Sequence, residues 1–421
     1  MLEAASRAGR IDIFKRLLSY AEKVFDLSSA IARITDTRQR PQIPATVVAR
    51  SALAMFLCRL GSLNSLEQLR DSKSLREYLD ADLPSADSIG RIFDLIDSDT
   101  LRSVNHRIYN CLKRNKMLQP PSHGLVALVV DGHESHASYR RHCDGCLERK
   151  KTIADKECIQ YYHRNVTAQL VFRDSRFLLD AESQSRGEGE LTAGIRLLER
   201  VLRDYPKAFQ VVVADALYAK SNFFNEALAH NKDTIAVLKD DRRELLKDAE
   251  STFSNQPSTC NFTRKGINIE CWDADNFQTW PQVVKSVRVV RTLESKNPIK
   301  RQLSGEPEDQ PATSWTWVTT LSPKRACSQT VVEIGHSRWC VENEGFNELA
   351  NHWHANHVYK HAPTAIQNFW IMSMIAYNIF RVFFLRNLRS VVRKGKSMLH
   401  FARRIRSELY RSLDGFSGLP P

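Results

Sequence analysis

The sequence predicts an α/β protein: a mixed sheet core that follows an all-helical N-terminal domain and is interrupted by a β-rich insertion. Three observations carry this expectation. The runs LVALVV (Leu125–Val130) and FQVVVA (Phe209–Ala214) are continuously apolar over strand length, as in strands buried on both faces. The segment LTAGIRLLERVLRDY between them places Leu191, Ile195, Leu198 and Leu202 on one helical face. Residues 251–322 change to short polar runs rich in β-branched and aromatic residues.

Residues 1–119 read as helical. Pro44–Leu60 has an amphipathic period and is closed by Gly61, a C-cap signal. The turn Ser62-Leu63-Asn64 leads to a second helix near Ser65–Arg70, and a break at Leu83-Pro84-Ser85 precedes SADSIGRIFDLI, with Ser85 or Asp87 as N-cap. A longer helix spans about Thr100–Lys116, and Pro120-Pro121 marks the boundary. Short helices with tight turns and basic ends suit a helix-turn-helix-like DNA-binding module, although a plain helical bundle has the same pattern.

The core begins in residues 120–250. After the first strand come Asn165–Phe172 and Arg176–Ser183, joined at Arg173-Asp174-Ser175, then the amphipathic helix and the strand Phe209–Ala214. A helix SNFFNEALAHN, with Ser221 as cap, and the strand Thr234–Lys239 complete the order β-β-β-α-β-α-β. In the insertion (251–322), Ile267–Trp272, Ser286–Leu293 and Ser314–Leu321 read as antiparallel strands, with SGEPEDQPAT as a disordered-looking connection. Residues 323–385 are helical and return to the core. Their most apolar stretch, Ile366–Leu385, is interrupted by Gln367, Asn368, Asn378 and Arg381, which favours a buried helix over a membrane span. The tail, 386–421, carries nine Lys or Arg between Arg386 and Arg411, suited to tracking phosphates or to forming a solvated helix face.

The chain has 421 residues, 61 basic against 48 acidic, for a net charge of +13. That surplus favours a polyanionic partner, of which nucleic acid is the commonest for a soluble protein. Nine scattered cysteines, an odd number, do not form a secreted disulfide framework, and the N-terminus lacks a signal-peptide pattern. The expectation is a cytoplasmic protein with reduced thiols.

Two aspartates follow the two most apolar strands directly, in VV-Asp131-GHE and VVA-Asp215-ALY. A carboxylate at the carboxyl end of a buried strand is a frequent functional position in α/β sheets, although either one alone could be a turn or cap residue. The strand order puts the first and fourth strands side by side, about 4.8 Å apart, within reach of a shared metal. Asp180, ending the third strand, would lie roughly 10 Å from Asp131, two strands away. The late helix SRWCVENEGFNELANHW supplies a third acid: Glu342 stands four residues after Arg338, on the same helical face. The guanidinium would keep that carboxylate ionised and can reach a phosphate. Glu344 and Glu348 are alternatives without an Arg four residues before them.

These motifs together, strand-VVDGHE, GEGEL before the first core helix, VVVADALYA, the β-rich insertion and RWCVEN, resemble the bacterial insertion-sequence transposases of family four, a DDE group with an RNase H-like core. Spacings agree: 84 residues separate Asp131 from Asp215 and 127 separate Asp215 from Glu342, with the insertion inside the second interval. The family's late helix has Tyr, Arg, Glu and Lys in fixed spacing. Arg338 and Glu342 match, whereas Gly335 and Leu349 stand at the Tyr and Lys positions, so those two phosphate-holding roles do not carry over; His352 is a candidate substitute. The resemblance implies an RNase H-like fold and two Mg²⁺ (or Mn²⁺) ions held by Asp131, Asp215 and Glu342. It further implies cleavage at transposon ends followed by strand transfer of the 3′-hydroxyl, double-stranded DNA as partner, and a homodimer in the DNA complex. Tyr218, three residues after Asp215, also matches the family pattern, with core packing as its ordinary role. Rival classes are a domesticated, non-catalytic DNA-binding protein and a metal-dependent nuclease without strand transfer.

Two secondary signals remain. Cys143, Cys146, Cys158 and His163 have donors suited to a closed tetrahedral zinc site, or are simply reduced thiols in a loop. Trp280, Trp315 and Trp317 could stack on an unpaired base near the cut, and core filling is the alternative for each. Lys239, at the end of its strand, joins Arg338 as a candidate phosphate contact.

Overall fold

A computed structural model describes residues 12–239, 244–296, 312–411 and 413. Most of the SGEPEDQPAT connection, residues 304–311, lies outside the described residues.

Among the described residues ten strands form one mixed sheet: β1 (Ala127–Ser138), β2 (Leu147–Ile153), β3 (Lys156–Val171), β4 (Arg176–Ser183), β5 (Val211–Ala214), β6 (Asp233–Val237), β7 (Cys260–Arg264), β8 (Ile267–Phe277), β9 (Val287–Lys296) and β10 (Thr313–Thr319). Their order is β2-β3-β1-β5-β6-β10-β9-β8-β7, with β4 also pairing β3. The ladders β1–β5 and β5–β6 are parallel, and β3 runs antiparallel to β1, β2 and β4. The first strand is therefore central, between the partners that the element order predicts. The helix Glu190–Asp204 packs on β3 and β4 through Ala193, Leu197, Leu198, Val201 and Leu202. This is an RNase H-like fold.

Two features depart from expectation. The strand β1 does not stop before Asp131; it continues to Ser138, bends at a bulge between Glu134 and His136, and pairs with a still longer β3. Its outer half (GHESHAS) and β2 (LERKKTI) are polar, so no apolar run announces them. The β2–β3 turn is Ala154-Asp155, both at positive φ (46° and 61°), a primed two-residue turn built without the usual Asn-Gly signal. The insertion, moreover, does not stand apart. Trp317, Val318 and Thr319 of β10 pair with Val237, Ala236 and Ile235 of β6, which fuses β7–β10 onto the core sheet.

The helix Pro363–Val382 runs through the interior against β4 and the N-terminal helices. Its polar residues bind neighbouring backbone, as buried amides must. Asn368 Nδ2 donates to the carbonyls of Phe93 and Ile96 (both 2.8 Å), and Asn378 Nδ2 donates to Leu178 O (2.8 Å) while its Oδ1 accepts from Leu178 N (3.1 Å). The segment Pro363–Asn387 is long and apolar enough to cross a membrane, yet most of it is buried inside the protein.

The helix expected over Pro44–Leu60 covers Ala45–Leu57, and it is not amphipathic: all its residues except Thr46 and Arg50 are buried, because it packs on the long helix. The chain leaves it through Arg59 (φ 52°) before Gly61 (φ 80°). Ser85 caps Ala86–Phe93 by accepting from Ser88 N (3.2 Å), whereas Ser221 lies one residue inside the helix Ser221–Ala229 and Lys220 is at the cap. The tail helix Met398–Arg411 folds back on the helix Ile13–Phe25, where Glu408 accepts from the N–H groups of Ile13 (2.9 Å) and Phe14 (3.1 Å).

Candidate active site

Asp131 and Asp215 stand at matching positions of adjacent parallel strands. Val129 is in register with Val213, and each aspartate follows two residues later, where β5 ends and the chains diverge. Asp215 caps the single 3₁₀ turn Ala216–Tyr218, its carboxylate accepting from Leu217 N (2.9 Å). Asp131 is buried, 7% exposed, and accepts from Gly132 N (2.9 Å).

Glu342 reaches the same edge from a helical segment with a local irregularity. The helix Ser328–His336 ends at Ser337-Arg338, and Val341–Phe346 then form a π-helical turn that leads into Asn347–Trp353. Such turns are rare and frequently mark functional sites. Arg338 Nη1 donates to Glu342 Oε1 (2.6 Å) and to Asp131 Oδ2 (3.1 Å), so one guanidinium spans two acids that lie 211 residues apart. Burial pushes the Asp131 carboxyl up to about 7 against the opposing pull of Arg338, and the negative charges of Asp215 and Glu342 add to the rise. Three carboxylates thus converge closely enough to repel, with one cation between two of them. An all-oxygen set of this kind suits hard divalent ions such as Mg²⁺ or Mn²⁺.

A fourth carboxylate belongs to this cluster. Glu190, the first residue of its helix, is held by Tyr218, whose hydroxyl donates to Oε1 (3.0 Å), and by Arg164 (3.1 Å). Burial raises its pKa and the charge of Asp215 adds to this. A Cβ at Gly132 would lie 2.4 Å from the Glu190 carboxylate, so a larger residue beside Asp131 would have to displace that carboxylate from its place against Tyr218 and Arg164. The sequence holds this residue within GEGEL, but an acid at a helix N-terminus has an ordinary dipole explanation, so spacing alone does not single it out. Tyr218 is fully buried, its ring against Gly194, and serves as both core and hydrogen-bond donor.

The other acids have different work. Asp180 is buried in an ion-pair network with Arg102 (3.0 Å) and Arg200 (2.6 Å) on β4, two strands from Asp131. Glu348 pairs with Arg59 (3.4 Å) and accepts from Trp353 Nε1 (3.2 Å). The side chain of Glu344 lies outside the described residues.

An aromatic cluster flanks Arg338. Trp315 and Trp317 share one face of β10, as alternation requires, with ring centroids 6.2 Å apart. Trp317 is only 1% exposed and is core, so it does not offer a face to a base. Trp315 is half-buried, with exposed Lys239 5.4 Å over its ring and Trp339 edge-on at 4.7 Å. Trp339, absent from the sequence expectations, also carries the Arg338 guanidinium 5.1 Å from its ring. Trp280 packs instead on Phe224 (5.1 Å).

Gly335 is explained by Trp317. A Cβ there would sit 2.6 Å from the indole Nε1 and 2.8 Å from Cε2, so neither alanine nor the family's tyrosine fits without moving a buried ring. We expect Gly335→Ala to lower stability by about 1–2 kcal/mol in urea unfolding, the overpacking cost exceeding the helix-propensity gain; a stabilised variant would refute the contact.

The sulfur and imidazole groups regroup. Cys143, Cys146 and His163 come together as the sequence suggests, but Cys158 does not join them. It lies five residues from His163 on β3, an odd offset that puts it on the opposite face roughly 16 Å along the strand. The fourth member is His361. All nine cysteines are free.

A family model described as a transposase DDE domain matches residues 122–379, more than half of the chain, from just before β1 into the long internal helix. No curated protein matches the chain.

Proposed function

Because the chain belongs to the transposase DDE domain family, we propose that it is a DNA transposase of the insertion-sequence family-four type, which cleaves at transposon ends and transfers the freed 3′-hydroxyl into target DNA. The observation that carries the reading is the convergence of Asp131, Asp215 and Glu342, with Arg338 bridging two of them.

When bound, two Mg²⁺ or Mn²⁺ ions would activate the attacking oxygen and stabilise the leaving one in an in-line displacement. Asp131 and Asp215, fixed on adjacent strands, would hold their ligand oxygens with little reorganisation, and Glu342 would close the set from the helix. Arg338 would then be released from its carboxylates to a phosphate oxygen, a bidentate partner for which guanidinium is suited. Half-buried Trp315 and Trp339, with Lys239 above the first, form the adjoining surface where an unpaired base can stack beside its backbone. The net charge of +13 favours duplex DNA as the partner, and two ends held together call for a homodimer in the complex. The tail Arg386–Arg411 would add phosphate contacts on its exposed face.

The deciding experiment supplies a duplex carrying the element's terminal inverted repeat, a target plasmid and Mg²⁺. Joined products are expected. Cleavage without joining would make the protein a nuclease, and binding without either reaction, in Mg²⁺ and in Mn²⁺, would make it a non-catalytic DNA-binding protein.

A further inference from the structure

We propose that Cys143, Cys146, His163 and His361 form a structural Zn²⁺ site that clamps the outer end of the β1–β3 ribbon to the start of the long internal helix. The four ligand atoms all lie within 4.8 Å of one another. The two sulfurs are 3.8 Å apart. The sulfur–nitrogen separations are 3.4 Å (Cys143–His163), 3.2 Å (Cys146–His163) and 3.5 Å (Cys146–His361). A tetrahedral ion with Zn–S near 2.3 Å and Zn–N near 2.0–2.1 Å requires edges of about 3.8 Å between sulfurs and about 3.5 Å between sulfur and nitrogen. The geometry meets both.

The donors arrive from three separate stretches of chain, so the cluster is not the accident of one turn. Cys143 and Cys146 close a tight turn in which Cys146 N donates to Cys143 O (3.0 Å) and Cys143 N donates to Cys146 Sγ (3.2 Å). Gly145 lets the turn press on the long helix: a Cβ there would meet Pro363 Cγ at 2.6 Å. That contact delivers Cys146 to His361, two residues before Pro363. His163 comes from β3, across the ladder from His136, whose own Nε2 is buried without a hydrogen-bond partner. Thiolate and imidazole select zinc over the hard ions suited to the carboxylate site, and four protein ligands leave no open position, as in a structural site.

The clamp has a positional consequence for the carboxylates. The strand that bears Asp131 continues through His133, whose ring stacks on Phe346 (4.8 Å) and Trp370 (5.5 Å) and whose Nε2 lies 2.9 Å from Asn356 Oδ1. Fixing His361 to β3 therefore pins the connection between the Glu342 segment and the long helix against that strand. The inference does not depend on the transposase reading, since a zinc-free protein could still be a transposase and a zinc-bound one need not be.

The test is metal analysis of the full chain, purified under reducing conditions without added chelator, together with Co²⁺ substitution. One zinc per chain is expected, and Co²⁺ should give the intense visible bands of a tetrahedral thiolate site. Cys146→Ser and His361→Ala should weaken zinc affinity by more than the ~10–100-fold that loss of an outer-shell partner costs. Cys158→Ser and Asp131→Asn should each keep one zinc. A folded wild-type chain without zinc and without the tetrahedral Co²⁺ spectrum would overturn the proposal. So would retention of zinc by His361→Ala with loss in Cys158→Ser. If a ligand variant fails to fold, the wild-type spectrum still decides.

Discussion

Changing any one of Asp131, Asp215 or Glu342 to its amide is expected to remove Mg²⁺-dependent cleavage and joining by at least about 10³-fold, with DNA binding retained. Charge stabilisation by bound ions is worth several kcal/mol of barrier, and each 1.36 kcal/mol is about tenfold in rate. An amide keeps the size of the side chain and loses the anionic oxygen. Because the acids act as a unit, double replacement should cost little more than single replacement. Binding rests on other groups: the basic surface and Arg338, freed in Glu342→Gln from its 2.6 Å partner, still meet phosphate. Activity of a single variant near that of the wild type, in an end-cleavage assay with matched binding, would remove that residue from the site.

The second large effect is on stability without divalent metal. Asp131 is held protonated up to about 7 in the fold, against roughly 3.9 for an unfolded aspartate. Between those values the unfolded chain binds fewer protons than the folded one, so stability falls as pH rises and the penalty is complete above about pH 8. At about 1.4 kcal/mol per pKa unit the ceiling is about 4 kcal/mol. Asparagine carries no such penalty. Asp131→Asn should therefore be more stable than the wild type by roughly 2–4 kcal/mol at pH 8 in chelator and nearly equal at pH 4. Added Mg²⁺ should narrow the gap at pH 8 by stabilising only the protein that keeps the carboxylate. Parallel denaturation profiles across this range would mean that Asp131 ionises as an ordinary aspartate.

The two predictions share a cause, a site assembled at a cost to the fold. Burial of Asp131 beside two other acids is unfavourable until positive charge arrives, and Arg338 meets that demand only in part. Stability given up at a functional site in this way is common, because the groups that bind a ligand are those left least satisfied without it.

What was legible in the sequence follows from local physics. The apolar runs at Leu125–Val130 and Phe209–Ala214 have the length and composition of buried strands, and the element order then made them neighbours, so the placement of Asp131 beside Asp215 was open to reading. The pairing of Arg338 with Glu342 needed only the helical period, and the family resemblance rested on the same motifs. The outer halves of β1 and β3 could not be read, because an exposed polar ribbon has no apolar alternation and its turn, Ala154-Asp155, has no favoured turn pair.

The amino-acid sequence by itself determined which residues carry charge and which short segments must be buried, since periodicity and side-chain polarity act over a few residues. Tertiary structure alone decided which distant groups meet: Glu190 against Gly132 and near Asp215, His361 rather than Cys158 beside the cysteine pair, and Trp339 against Trp315 while Trp317 packs into the core against Gly335. Each is a contact between segments far apart in the chain. Which of them forms depends on strand face, on helix position and on the room a single glycine leaves, as Gly132, Gly145 and Gly335 do here.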